Sequence, residues 1–98
     1  MPASGTTTID FGAFPGASDT SVAVTGQAGI LSGSLVGAWL RPAATADHTA
    51  EEHMVEAISV FAADIAAGTG FTIHGRCTTQ FGHSTRLYGT WTVAWAWT

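Results

Sequence analysis

Arg86-Leu87-Tyr88-Gly89-Thr90-Trp91-Thr92-Val93-Ala94-Trp95-Ala96-Trp97-Thr98 alternates large apolar residues with small or hydroxyl ones. On an extended chain Leu87, Trp91, Val93, Trp95 and Trp97 line one face, and Tyr88, Thr90, Thr92, Ala94 and Ala96 the other. Period-two alternation of this length is the mark of a strand with one buried face. Three indoles with Leu87 and Val93 are a large share of the apolar volume in so short a chain, so some sheet must bury them.

The flanking sequence supplies the other strands. Phe71 to Thr79 places Phe71, Ile73 and Cys77 on one face with Gly75, between turns at Gly68-Thr69-Gly70 and Gln80 to Ser84. Asp19 to Gln27 alternates cleanly, with Val22 and Val24 on one side and Ser21, Ala23 and Thr25 on the other. Thr6 to Phe11 is a first strand, stopped by Gly12 and by Pro15-Gly16. Ser34 to Arg41 carries Leu35, Val36, Trp39 and Leu40 on both faces and ends at Pro42, which cannot donate to a ladder.

The middle of the chain is less regular. Thr49-Ala50-Glu51-Glu52 matches a capping box inside a polar loop, which predicts at most one short helical turn near residues 49–54. Met54 to Ala63 reads as strand from its β-branched and aromatic content, although Val55, Ile58, Ala62 and Ile65 also keep helical spacing. The expectation is all-β: a single small β-sandwich over residues 1–98, jelly-roll-like or immunoglobulin-like, with about seven strands.

Composition adds a constraint on the surface. Only 10% of the 98 residues are charged, lysine is absent, and the arginines are Arg41, Arg76 and Arg86. Soluble domains carry about 25% charged residues, so this chain must coat itself with hydroxyls or hide its surface against partners. The second course points to a subunit of an assembly, a homo-oligomer. A net charge of -4 with three arginines argues against nucleic acid as a partner. The opening Met1-Pro2-Ala3-Ser4-Gly5 is not a secretory signal, no apolar run approaches a membrane span, and Cys77 has no second cysteine to bridge. These features fit synthesis and folding in the cytoplasm, without excluding a particle that leaves the cell.

Asp47, His48, Glu51, Glu52, His53 and Glu56 form the densest polar cluster. His48, Glu52 and His53 are its metal-ligand candidates. On a helix, however, His48 and His53 diverge by about 140°, which fits no known ligand spacing and favours a solvated loop or a contact. His74 and Cys77, three apart, fall on opposite faces of a strand, so no nucleophile–base pair forms. No nucleophile-elbow or dinucleotide-binding motif is present, and neither catalytic residues nor a cofactor is expected. The tryptophans carry three readings: core, contact between subunits, or a stacking platform for sugars. Trp91, Trp95, Trp97, Tyr88 and Trp39 are the interface candidates. An unpaired last strand would aggregate, so it is expected to be paired, covered or supplied to a neighbour.

Five segments together carry a resemblance: Ile9-Asp10-Phe11-Gly12, Val22-Ala23-Val24-Thr25-Gly26-Gln27, Ala44 to His53, Ala67-Gly68-Thr69-Gly70-Phe71-Thr72-Ile73, and Tyr88-Gly89-Thr90-Trp91 to Trp97. They resemble small β-rich proteins of tailed bacteriophages and prophages. The resemblance covers most of the chain and brings no catalytic or ligand residues with it. It implies a virion component, first a capsid decoration protein that clamps the shell, often as a trimer or other small ring, and second a tail or fibre part. Its partners would be further copies of itself and a shell or tail protein. A carbohydrate-binding module using the Trp face ranks third.

Overall fold

The computed structural model describes residues 3–13, 16–55, 58–77 and 87–98. Along the chain run β1 (Ala3–Asp10), β2 (Asp19–Val24), β3 (Val36–Leu40), α1 (Ala50–Val55), β4 (Ile58–Ala66), β5 (Gly70–Cys77) and β6 (Thr90–Trp97). The described residues thus hold six strands where about seven were expected. The Gln80 to Ser84 turn, Pro15 and the start of the last run at Arg86 lie outside the described residues.

The strands form two antiparallel sheets, ordered β1-β6-β3 and β2-β5-β4. Across the gap β3 packs on β4 and β1 on β2. Each strand therefore pairs with, or faces, the strand it would meet in one long hairpin rolled up on itself: β1 with β6, β2 with β5, β3 opposite β4. That nested winding is of the jelly-roll kind rather than the immunoglobulin kind.

β6 is the centre of its sheet, in register with β1 from Ala3↔Trp97 to Asp10↔Thr90 and with β3 from Val36↔Trp97 to Leu40↔Val93. The last strand is therefore paired on both sides. Its alternation buries Trp91, Val93, Trp95 and Trp97 against Phe71 and Ile73 of the second sheet and Ile9 and Phe11 of the first. Full burial of such side chains contributes on the order of 2 kcal/mol each. Two polar bonds hold indoles in place: Trp97 Nε1 donates to Gln27 Oε1 at 2.8 Å and Trp91 Nε1 to Tyr88 O at 3.2 Å. At Gly5 the Trp95 ring lies so close that an added Cβ would sit 2.6 Å from its Cζ2.

Two expectations change in detail. The run Met54 to Ala63 is helix up to Val55 and strand from Ile58, so both readings of it hold in part. β3 carries apolar side chains on both faces, as expected, but buries one of them: Val36, Ala38 and Leu40 pack on the core while Leu35 and Trp39 are exposed. The second sheet's edge strand β4 shifts register between Ala63 and Ala66, and there Asp64 takes the left-handed conformation at φ 58°.

Candidate functional site

Of the polar cluster Glu56 lies outside the described residues, and the rest does not form a solvated loop. It is a clip that fastens residues 43–53 to the start of β6. Thr45 begins it: its hydroxyl donates to Thr90 O at 2.8 Å and accepts from the amides of Asp47 and His48. Asp47 Oδ2 then accepts from both the amide (2.7 Å) and the hydroxyl (2.9 Å) of Thr90. The capping box closes at Thr49, whose amide donates to Glu52 Oε1 at 2.8 Å while Glu52 N donates to Thr49 Oγ1 at 3.2 Å. This nucleates α1, a helix too short to persist without its tertiary contacts.

Those contacts come from the two histidines, 4% and 2% exposed. His48 stacks on Trp91, and its Nδ1 lies 3.2 Å from Glu52 Oε2 and its Nε2 2.6 Å from Tyr88 O. Both its nitrogens face oxygen and satisfy them only by donating. His53 Nδ1 donates to Thr49 O at 2.7 Å, and Nε2 accepts from the Thr92 amide at 2.9 Å. That pair of bonds fixes the neutral ring with its proton on Nδ1. Arg41 N donates to Thr92 O on the same side of β6. His53 thus stands in for a strand carbonyl just where β3 has ended before Pro42.

Every ring nitrogen of His48 and His53 is therefore committed to a protein partner, and Glu52 to the helix cap. The residues chosen as metal candidates lie close together but do not converge on an empty point, and no three potential ligands gather among the described residues. The two carboxylates of the clip are held below their ordinary values. For Asp47 the cause is the Thr90 amide, then the Thr90 hydroxyl; for Glu52 it is the Thr49 amide, then His48.

The interface candidates divide. Trp91, Trp95 and Trp97 are core side chains and offer no surface, whether to a partner or to a sugar. Trp39 (50% exposed) and Tyr88 (42%) are open. Trp39 stands on the outer face of the first sheet with Leu35 (76%), above Gly37, Ala94 and Ala96, while Ser4, Thr6 and Thr8 form the far side of that face. The charged groups of this face, Asp10, Arg41 and the Asp47 bonded to Thr90, all stand at one end of it.

The outer face of the second sheet is different. Asp19, Ser21, Phe61, His74 and Arg76 line a cavity of about 300 Å³ there. His74 stacks on Phe61, and its Nε2 donates to Asp64 Oδ2 at 2.9 Å. This arrangement escaped the sequence reading, because only the bulge in β4 aims Asp64 at a histidine ten residues away. As the alternation required, Cys77 is turned the other way, half-buried against the core. Comparison with protein-family models, with curated proteins and with solved structures finds no match. The resemblance to phage proteins rests on the quoted segments alone.

Proposed function

We propose that the chain is a structural protein of a bacteriophage virion, a capsid decoration protein that stabilises the shell through oligomeric β-sandwich contacts. The observation that carries this reading is the asymmetry of the two outer faces. One gathers Asp19, His74, Arg76 and Asp64; the other keeps its charges, Asp10, Arg41 and Asp47, at one end, and Leu35 and Trp39 stand out of the uncharged remainder. Exposed apolar groups on an area without charge are the composition of a contact surface rather than of a free one. The rolled sandwich is compatible with this use, since jelly rolls are frequent in viral shells, but a fold alone assigns no function.

The test is the inventory of purified particles from a lysogen carrying the gene. Quantitative mass spectrometry is expected to find the chain at copy numbers near those of the shell protein, and particles lacking it should lose their genome at lower temperature. A far smaller number would favour the second reading, a tail or fibre component. Absence from the particles would overturn both.

A further inference from the structure

Among the described residues four strands are edges: β1 and β3 in the first sheet, β2 and β4 in the second. Free edges invite pairing unless something blunts them. β4 is broken by its bulge at Asp64. β3 has five residues and runs into Arg41-Pro42, while β2 has six and opens with Asp19. β1 differs from all of them. It has eight residues in unbroken one-to-one register, with no proline or basic residue and Asp10 only at its end.

The register shows which of its backbone groups are free. Leu35 and Thr98 exchange both amide bonds, and Arg41 N donates to Thr92 O, so the even-numbered residues of β6 turn their groups toward β3. The odd-numbered residues of β6 serve β1, where their partners are Ala3, Gly5, Thr7 and Ile9. Ser4, Thr6 and Thr8 therefore direct their amides and carbonyls away from the sheet. Asp10 confirms the parity, because its outward carbonyl accepts the Thr20 hydroxyl at 2.8 Å. That bond caps the far end of the edge. The row left open is centred on Thr6, with exposed Ser4 and Thr8 as equal arms.

We propose that two copies of this chain pair through β1, antiparallel about a two-fold axis at Thr6. Ser4 then faces the second copy's Thr8, Thr6 faces Thr6, and Thr8 faces Ser4. Three facing pairs exchanging two bonds each satisfy every open group of the row. The occupant is a second copy because the row is self-complementary. Hydroxyl meets hydroxyl in every facing pair of the row, and no like charges oppose. The axis stands perpendicular to the joined sheet, so the outer faces of both copies, with their Leu35 and Trp39, come to lie on one side. The pairing stands on the edge itself and supplies the self-association that the virion reading needs.

The experiment is native mass spectrometry of the purified chain with Thr6→Lys and Thr6→Asp. Wild type is expected as a dimer or an even multiple of it. Each variant alone should fall to half that mass, because like charges meet at the axis, and an equal mixture should restore a one-to-one heterodimer. Thr6→Pro should also halve the mass while leaving far-UV circular dichroism unchanged, since the amide it removes takes no part in the β1–β6 ladder; Thr8→Lys serves the same purpose should Thr6→Pro misfold. A wild-type monomer, a trimer, or Thr6→Lys and Thr6→Asp proteins that keep the wild-type mass would overturn the pairing. Those outcomes leave the particle inventory to decide the virion reading, and a dimer missing from particles would overturn that reading alone.

Discussion

The imidazole of His48 lies flat on the indole of Trp91, with ring centroids 3.7 Å apart and planes 18° from parallel. The ring seals one end of the core while bonding to the backbone at Tyr88, forty residues away. His53 does the complementary work from the next turn, edge-on to the same indole and bonded to the Thr92 amide. Two histidines thus tie a six-residue helix to the strand at the centre of a sheet.

Removing His53 should therefore hurt more than its place on a short helix suggests. His53→Ala leaves the Thr92 amide facing an apolar gap, and an unsatisfied buried donor costs about 1–3 kcal/mol. Urea unfolding followed by tryptophan fluorescence is expected to show a midpoint loss of that size with little change in slope. His48→Ala is expected to cost about 2 kcal/mol through the lost stack and the bond to Tyr88. A change near zero in both would mean that the clip is not coupled to folding.

Asp47 and Glu52 titrate below their ordinary values of 3.8 and 4.5 in the folded chain. As the pH falls, the unfolded chain takes up protons on these groups first, so the stability they contribute is complete above the ordinary values and is lost as the pH drops through the folded ones. The melting temperature should therefore decline from about pH 5 downward. Asp47→Asn should start lower at neutral pH and decline less steeply. Parallel curves for the two proteins would remove Asp47 from the acid response.

Gly5 holds its place by the lack of a side chain. A Cβ there meets a Trp95 ring that is itself pinned in the core. Gly5→Ala is expected to cost about 1–3 kcal/mol by overpacking and to alter the near-ultraviolet circular dichroism of the tryptophans. An unchanged spectrum with unchanged stability would show that the ring has room to move.

Of the four tryptophans only Trp39 is open to solvent. Acrylamide should quench a single component of the fluorescence in a chain kept free of partners, and Trp39→Phe should abolish that component. Added sugars should leave the emission of Trp91, Trp95 and Trp97 unmoved, because no ligand reaches them. Quenching that survives Trp39→Phe would contradict the buried placement of the other three.

Much of this fold could be read from residue order because the decisive signals are local. The alternation in β2 and β6 assigns faces without any knowledge of partners, and Thr49 with Glu52 marks the helix start within four residues. What escaped was the non-local part. Nothing in Asp47 to His53 tells that its bonding partners are Tyr88, Thr90 and Thr92, so a buried clip looked like a wet loop. The run after Met54 resisted assignment because Val55, Ile58 and Ala62 suit either period, and the chain changes from helix to strand within it. Trp91 to Trp97 could be assigned a common face, but whether that face met a sheet or a partner depended on β6 lying at the centre.

The position of β6 also governs the order in which the molecule can assemble. β2, β4 and β5 all precede β6 in the chain, and these complete one sheet by themselves. β1 and β3 touch each other only through β6, so both wait, unpaired, until the last strand of the series emerges. The closure of the first sheet, with both of its sequence-distant pairings, is therefore deferred to a single late event. The making of β6, rather than of any earlier segment, is the step that commits the first sheet to its native pairing.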